Sequence, residues 1–299
     1  DKIFAEAIAN EYAPKDTSKV VALRKLDNKA YKFRIYPNRE QEILLSKTFG
    51  CCRFLYNAML SDKISEYKTT KKMLKNTPAM YKKEYPFLKE VDSLALANVQ
   101  LHLEKAYKNF FRKPSVGFPR YKSKHKNHDS YTTNVVNGNI VLTDGLLKLP
   151  KLGKVRIRQH REIPAGYRLK SVTVSRESSG KYYASLLYVY DCSENQAADC
   201  NYLAARILGI DYAMHGMTVF SDELDAVYPG YLRQAQKKLV REQRRLSHCQ
   251  KGSKNYRKQK RKVALCHEKV RNQRKDYIHK LTRKIADTYD AVGVEDLDM

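Results

Sequence analysis

Three absences limit what this 299-residue chain can be. It contains no tryptophan, and no apolar run approaches the ~20 residues that a transmembrane helix needs. Its first residues, DKIFAEAIANEY, lack the basic-then-apolar order of a secretory signal. We therefore expect a cytoplasmic protein that has no membrane partner.

Cysteine pairs with metal-binding spacing are also missing. None of the six cysteines belongs to a C-x-x-C motif, so no zinc site is visible in the sequence. The adjacent pair Cys51-Cys52 is poorly suited to a disulfide. We expect reduced thiols throughout, as is usual in the cytosol. The six cysteines are Cys51, Cys52, Cys192, Cys200, Cys249 and Cys266.

Negative charge is scarce relative to positive charge. The 58 Lys and Arg residues face 32 Asp and Glu, which gives a formal net charge of +26 and a pI near 9.7. Self-repulsion of this size predicts a polyanionic partner. A basic surface that only aids solubility is the simpler alternative, but it does not account well for so large an excess.

The positive charge is densest between Arg233 and Lys284, where twenty positions are Lys or Arg. A solvated helix face with intrahelical ion pairs is one interpretation. Acidic partners are too few for it, so we predict contacts with a phosphate backbone, which carry no sequence specificity. The predicted contact residues are Arg257, Lys258, Lys260, Arg261, Lys262, Arg274 and Lys275.

The order of predicted elements suggests a mixed α/β protein with several domains. Residues 29–37 alternate as a strand does, and residues 39–112 have helical periodicity broken near two prolines. Residues 114–190 consist of short strands and turns, which is typical of a small β-barrel. We expect 29–37 to be its first strand, with the helical block inserted after it.

Two apolar runs each deliver one carboxylate near the end of a predicted strand, Asp211 after Ile207–Ile210 and Glu295 after Val292–Val294. Either acid alone would most simply cap a turn or a helix. The pair, in so basic a chain, predicts ligands for Mg²⁺. The order of strand to Asp211, strand 217–220, two helices and a last strand is that of an RNase H-like domain.

Asn137-Gly138 predicts a tight turn in a polar stretch of the β region. Turn chemistry explains most asparagines in such a place, including Asn134 and Asn139. An Asn that reads a base in a DNA groove is the alternative.

The chain from residue 29 to its end resembles the TnpB family, the RNA-guided endonucleases encoded by insertion-sequence transposons, and their relatives the compact type V CRISPR effectors. The motifs that carry this resemblance are AYKFRIYPN, CCRFLYNAML, EVDSLALANVQLHLEKAYKNFFR, VGFPRYKSK, LKLPKLG, GIDYAMHGMTVFSD, KGSKNYRKQKRKVALCHEKVRNQRKDYIHKLT and GVEDLDM. The AMHG after Asp211 departs from the usual glycine-and-leucine pattern.

The resemblance implies a fold in which a helical recognition domain is inserted in a β-barrel wedge domain, followed by an RNase H-like RuvC nuclease domain. The family's third RuvC aspartate and its four-cysteine zinc ribbon lie downstream of Met299, so this RuvC domain is expected to be incomplete. The implied divisions are an N-terminal extension 1–27, first wedge strand 28–38, recognition domain 39–113, wedge barrel 114–200 and RuvC-like domain 201–299.

The resemblance also implies a function. Two Mg²⁺ ions on Asp211, Glu295 and the third acid would cut DNA beside a short motif, guided by an RNA that pairs with one strand of duplex DNA. Asn137, with positions near Ser93, Leu94 and Ala97, matches family positions that read that motif. We expect one protein per guide RNA in a prokaryotic cytosol, and Zn²⁺ in the downstream ribbon. A nuclease-dead guided repressor and a plain RNA-binding protein are the alternatives.

Overall fold

The computed structural model describes residues 26–124, 128–191, 206–213, 217–222 and 228–294. Its helices are α1 Arg39–Thr70, α2 Pro78–Glu84, α3 Ser93–Arg112, α4 Tyr231–Ser247 and α5 Lys254–Thr288. Its strands are β1 Leu26–Tyr36, β2 Asp129–Asn134, β3 Val141–Thr143, β4 Leu146–Leu149, β5 Gly153–Arg158, β6 Arg168–Arg176, β7 Tyr182–Asp191, β8 Ile207–Ala213, β9 Met217–Phe220 and β10 Ala291–Val294. The predicted mixed α/β class is confirmed.

Seven strands form one antiparallel sheet in the order β2-β6-β7-β1-β5-β4-β3. Strand β1 lies in the middle, paired with β7 and β5, so the helices that follow it in sequence are inserted within the sheet. The two edge strands, β2 and β3, are separated by only the short link from Asn134 to Val141. That link spans at most ~25 Å, whereas six strand spacings in a flat sheet would span about 29 Å. The sheet must therefore curl.

The curled sheet is less closed than the predicted barrel. Across the described residues no strand pairing joins β2 to β3, so the sheet is a half-barrel with two edges. The predicted turn between them is confirmed, because the Asn139 amide donates to the Val136 carbonyl at 3.1 Å. Asn137 and Gly138 both have positive φ, 49° and 68°, as a tight primed turn requires.

The helical block begins and breaks where its sequence dictates. Asn38 caps α1 in a reciprocal capping box with Gln41, whose side chain also donates to the Leu152 and Lys154 carbonyls beside β5. Pro78 opens α2 and Pro86 opens a 3₁₀ turn, since proline fits the first position of a helix.

One hydrophobic core joins the helical block to the inner face of the half-barrel. Its fully buried members include Phe33 of β1, Leu55 of α1, Leu96 of α3 and Leu186 of β7. The Asp92 carboxylate, which caps α3, also accepts a hydrogen bond from Thr133 of β2. Because a single core spans both regions, the division into recognition and wedge domains stays a prediction.

The remaining elements form a second, smaller sheet with the order β10-β8-β9. Strand β8 runs parallel to β10 and antiparallel to β9. Helices α4 and α5 connect β9 to β10 in sequence and pack on each other as a hairpin. The prediction of strand, strand, two helices and strand is confirmed.

Two further expectations concern membranes and cysteines. No helix in the described ranges is both long and apolar enough to cross a membrane. Cys51, Cys52, Cys249 and Cys266 are free thiols, as predicted, while the other two cysteines lie outside the described residues. Burial raises the pKa of the Cys52 thiol to about 12, so this side chain is neutral.

Candidate carboxylate site and nucleic-acid interface

The predicted metal ligand Asp211 lies within a strand rather than at its end. Strand β8 continues to Ala213 because it pairs with β9, where Asp211 faces Val219. The side chain of Asp211 is exposed and takes part in no ion pair with the residues that the structure describes. A solvent-facing carboxylate without a cationic partner can coordinate a hard cation such as Mg²⁺.

The second predicted ligand, Glu295, lies outside the described residues. The register of the adjacent strands is nevertheless informative. Val294, the last residue of β10, pairs in parallel with Ile210 of β8. Asp211 and Glu295 are the next residues in the sequence after this pair. Within the described ranges, the surroundings of Asp211 included, no group of three or more His, Cys, Asp and Glu side chains could hold a metal ion.

A close backbone approach supports the strand that carries Asp211. The Gly209 amide donates to Ser221 Oγ at 2.8 Å, and the Ser221 amide donates to the Gly209 carbonyl at 3.0 Å. A Cβ at Gly209 would lie only 3.2 Å from Ser221 Cβ. A larger residue at 209 would therefore push Ser221, which follows β9, away from β8 by a few tenths of an ångström.

The start of β8 is tied to the end of α5. The Arg206 amide donates to Asp290 Oδ2 at 2.9 Å, and the Asp290 amide donates to the Arg206 carbonyl at 3.0 Å. The Arg206 guanidinium also lies over the Tyr289 ring, 5.4 Å from its centroid. These contacts fix the basic helix relative to the strand that bears Asp211.

The cluster of cations predicted in α5 does not lie on one face. Arg257, Lys260 and Arg261 line a cleft of about 510 Å³ between the helix and the half-barrel. Lys258 and Lys262 project away from that cleft, because one residue step turns an α-helix by ~100°. The five cations therefore lie on more than one face of α5, and their contact with a phosphate backbone stays a prediction.

Most of the predicted contact residues are available to bind an anion. All seven are exposed, and the residues described offer no carboxylate within 4.0 Å of five of them. Those five are Arg257, Lys258, Lys260, Lys262 and Lys275.

The other two side chains are partly engaged within the protein. Arg261 Nε donates to the Ser179 carbonyl at 2.9 Å, and Arg274 Nε donates to the Tyr228 hydroxyl at 2.9 Å. The turn glycine Gly180, with φ 83°, leaves room for the Arg261 guanidinium. These two arginines therefore position α5 as well as adding to its charge.

Two acids hold α5 against the β6–β7 turn of the half-barrel. The Glu268 carboxylate accepts hydrogen bonds from the Tyr183 hydroxyl at 3.2 Å and pairs with Lys181 Nζ at 3.1 Å. Burial alone would raise the pKa of Glu268, but its neighbours Ser179, Lys181 and Tyr183 outweigh burial and hold the pKa below its usual value.

Glu177 makes the matching contact from the sheet to the helix. It pairs with Arg271 of α5 at 3.2 Å and with Lys32 of β1 at 3.4 Å. Burial would raise the pKa of Glu177, and these two cations lower it by more. Both carboxylates are thus ionised partners at neutral pH, and the helix is bound to the sheet by charge-assisted bonds.

A basic outer face of the half-barrel was missed by the sequence analysis. Arg34 of β1 lies directly opposite Arg158 of β5, and Tyr36 lies opposite Arg156. The Arg34 and Arg156 guanidinium groups stack on the Tyr36 ring, 4.8 and 5.2 Å from its centroid. We define the outer basic face as the outward cations of three adjacent strands. They are Lys32, Arg34, Lys148, Lys154, Arg156 and Arg158.

Like charges that face each other across a sheet are destabilising unless another charge compensates them. Arg34 Nε is moreover buried without a hydrogen-bond partner among the described residues. The alternating cations of 32–36 and 154–158 were visible in the sequence. Their alignment was not, because it depends on the pairing of strands about 120 residues apart.

Asn137 lies on an exposed turn, and its side chain makes no hydrogen bond to any residue that the structure describes. Turn stabilisation is provided instead by Asn139, whose side chain accepts from the Val136 amide at 2.8 Å and donates to the Asn134 carbonyl at 3.2 Å. The other positions matched to motif readers lie in the first turns of α3, where Ser93 and Ala97 are exposed. The bond between Asp92 and Thr133 joins the start of α3 to the strand that leads into the turn of Asn137.

Comparison with known families and proteins agrees with the sequence motifs. The family described as "Probable transposase" (OrfB_IS605) matches residues 201–299. A second family, described as "Helix-turn-helix domain" (HTH_OrfB_IS605), matches residues 28–72. In this chain that stretch forms strand β1 and the single continuous helix α1, rather than two helices joined by a turn.

Two curated relatives are similar over most of the chain. A "Putative RNA-guided DNA endonuclease" of Streptomyces pristinaespiralis is 34% identical over 279 residues, which cover 90% of this chain and 67% of that protein. The "Putative RNA-guided DNA endonuclease InsQ" of Escherichia coli K12 is 32% identical, with 90% and 66% covered. This chain thus spans about two thirds of the length of these relatives.

A solved structure, a Cas12f1–sgRNA–target DNA complex, aligns with 91% of this chain and 74% of its own at 14% identity. Its TM-score of 0.30 is too low to support a shared fold. Family membership rests on the sequence relatives. With 34% identity across two thirds of the Streptomyces protein, the chain belongs to the TnpB family, which confirms the resemblance seen in its motifs.

Proposed function

We propose that this protein is an RNA-guided DNA endonuclease that cleaves through a RuvC-type carboxylate site. The curated relatives bear that function in their names. Guide RNA and duplex target DNA are the partners that follow from it. Base pairing would then read the target sequence, while the protein holds the nucleic acid by its shape and its phosphate backbone.

The observation that carries the catalytic part is the parallel pairing of β8 with β10. The pairing ends at Ile210 and Val294, and an acid follows each of these residues in the sequence, Asp211 and Glu295. Neighbouring parallel strands bring their carboxyl ends to one edge of a sheet. We propose that these two acids hold Mg²⁺, completed by a third acid beyond Met299, and that the metal activates water for phosphodiester hydrolysis.

Charge supports the nucleic-acid part of the proposal. The unpaired cations of α5 and, apart from Lys32, the cations of the outer basic face have no carboxylate partner among the described residues. A phosphate backbone would supply the missing counter-charge and would bind in a salt-dependent manner without sequence preference. Zn²⁺ in a downstream ribbon remains part of the expectation for the full-length protein.

Recognition of the motif beside the target is proposed for the surface around Asn137. Its side chain is exposed on a hydrogen-bonded turn, and the bond of Thr133 to Asp92 joins the exposed start of α3 to the strand that leads into that turn. An Asn side chain can pair with adenine through two hydrogen bonds in the major groove.

The test is DNA cleavage by the full-length protein, loaded with its guide RNA, with and without Asp211→Asn. The substitution keeps the size of the side chain and removes the charge that binds Mg²⁺. Cleavage should fall about 10³-fold, as on loss of a group that stabilises the transition state, while guided DNA binding should change little, because the substitution removes no cation. Asp276→Asn is a control, because Asp276 is exposed on α5 and its one ion pair with a described residue is to Lys280.

Cleavage by the Asp211→Asn protein at the unmodified rate would refute the metal-ligand assignment. Guided binding by the unmodified protein without any Mg²⁺-dependent cleavage would refute the endonuclease and would support a guided repressor.

A further inference from the structure

A cavity lies where helix α1, helix α3 and strand β2 meet, apart from Asp211 and from the basic helix α5. Its volume is about 290 Å³, and its lining includes Arg53 of α1, Asn98 and His102 of α3, and Lys122 from the segment before β2. The acid Asp129 also lines it, but its carboxylate is already shared by Arg53 at 3.4 Å and Arg176 at 2.5 Å. The lining is therefore cationic overall.

Lys122 is the residue in this cavity whose charge is least compensated. Its ammonium lies 4.1 Å from the centroid of the buried Tyr56 ring. Burial lowers the pKa of Lys122, and only the Cys52 thiol acts in the opposite direction. Because Cys52 is itself neutral at physiological pH, no described residue supplies the negative charge that a half-buried ammonium would need.

The position of Lys122 is nevertheless fixed by the protein. The Lys122 amide donates to Asn57 Oδ1 at 2.8 Å, and Asn57 Nδ2 donates to the Lys122 carbonyl at 2.9 Å. These paired bonds hold the backbone against α1 as a neighbouring strand would. The pKa of His102 is lowered, mainly by burial and further by the positive charges of Lys122 and Lys105. The same positive charge thus acts on a second residue of the cavity.

We propose that this cavity binds one backbone phosphate of the nucleic acid, with Lys122 as its main cation and Arg53 as a second donor. A phosphodiester carries the single negative charge that the lining lacks, and it fits easily within 290 Å³. A cation is disfavoured by the same lining. The identification of the ligand as a nucleic-acid phosphate rests on the proposed function, whereas the assignment of an anion site rests only on the cavity.

The site joins three elements that sequence places far apart. A phosphate bound there would contact α1 through Arg53, the pre-β2 segment through Lys122 and the α3 side of the cavity near His102. Binding of a nucleic-acid strand at this site would therefore be linked to the contact between α3 and β2, which includes Asp92 and leads into the turn of Asn137.

The first measurement uses inorganic phosphate as the probe on the 299-residue chain. Thermal unfolding is followed as phosphate replaces chloride at constant ionic strength. Phosphate should raise the melting temperature of the unmodified chain, and Lys122→Gln should abolish this increase. Lys108→Gln is the matched control, because Lys108 is exposed on α3 and does not line the cavity. Lys122→Arg should keep the increase.

A structural role for Lys122 predicts different results. If the ammonium served mainly to pack on Tyr56, Lys122→Gln would lower the melting temperature without phosphate, which would overturn the proposal. If the ammonium awaits an anion, removal of its uncompensated charge should leave that temperature unchanged or raise it. Lys122→Met preserves the packing on Tyr56 and should be folded yet insensitive to phosphate.

The second measurement identifies which nucleic acid supplies the phosphate. Binding of labelled single-stranded RNA, single-stranded DNA and duplex DNA is measured against salt concentration. For the strand that occupies the cavity, Lys122→Gln should weaken binding about tenfold and reduce the salt slope by about 0.7–0.9. Unchanged slopes for all three, together with an unchanged phosphate effect, would overturn the proposal. If the unmodified chain bound no nucleic acid, the proposed function would be refuted. A phosphate effect that depends on Lys122 would still support the anion site.

Discussion

The contact of Glu268 with the β6–β7 turn should be the main attachment of helix α5 to the half-barrel. The Glu268 side chain is only 4% exposed, and its partner Lys181 is 27% exposed. We expect Glu268→Gln to lower the free energy of unfolding, since the amide keeps the shape of the side chain and loses its charge. Removing one partner of a fully buried pair costs about 3–5 kcal/mol.

The expected loss for Glu268→Gln is smaller, about 2 kcal/mol, because Lys181 can still reach water and the amide can still accept from Tyr183. Urea unfolding followed by circular dichroism measures the change. Hydrogen exchange of peptides that cover 254–275 and 177–183 tests whether the helix is released locally. Both segments should exchange faster in the variant.

Asp276→Asn provides the comparison on the same helix. Asp276 pairs with Lys280 at 2.8 Å, but its side chain is 63% exposed, so its loss should cost less than about 0.5 kcal/mol. Equal effects of the two substitutions, or no effect of Glu268→Gln on exchange in either segment, would refute the assigned role of Glu268.

The pH dependence of the same pair has a definite sign. Because the folded-state pKa of Glu268 lies below its usual value, the unfolded chain binds the proton more readily. The stability that the pair contributes is therefore fully present above the usual carboxyl pKa of about 4.3 and is lost as pH falls through the folded-state pKa. The Gln variant lacks this contribution at every pH. The difference in free energy of unfolding between the two proteins should therefore become smaller as the pH falls.

Two further predictions concern nucleic-acid contacts. Asn137→Ala and Asn137→Gly should both relax the preferred flank in a randomised-target selection, with ~1–3 kcal/mol of discrimination lost. The Gly variant controls for strain, because glycine adopts the positive φ of this turn at no steric cost. A flank preference in both variants that is unchanged from the unmodified protein would make Asn137 a turn residue only. Replacing Arg257 and Lys260 with Gln, and replacing Lys258 and Lys262 with Gln, should have independent effects on the salt slope of binding, because the two pairs lie on different faces of α5. A reduced slope for only one pair would show which face the nucleic acid contacts.

Local structure in this chain was predictable because it depends on neighbours in sequence. The capping box of Asn38 and Gln41, the helix starts at Pro78 and Pro86, and the turn at Asn137 follow from short-range rules. The alternation of β1, the sheet that continues after the inserted helices and the long basic helices were predictable in the same way.

Alignment between distant segments was not predictable. The direct opposition of Arg34 and Arg158 depends on which strands pair and in which register, and the cavity around Lys122 depends on the packing of α1 and α3 against β2. Which face of α5 packs on the half-barrel is likewise fixed by distant contacts, although the separation of Lys258 from Lys260 around the helix follows from the helical period. Each of these features needs a long-range contact that periodicity alone does not specify.

Helix α5 links the two sheets mechanically. Its 35 residues span about 52 Å at 1.5 Å per residue. Its middle is held to the half-barrel through Glu268 and Arg271, and its end leads directly into β10, where Asp290 binds Arg206 at the start of β8. A displacement of this helix therefore reaches the strand of Asp211 through hydrogen-bonded backbone rather than through a flexible linker. If nucleic acid binds the unpaired cations of α5 as proposed, occupancy of the basic surface and the placement of the carboxylate strand are coupled, and Glu268→Gln should weaken that coupling without removing any cation.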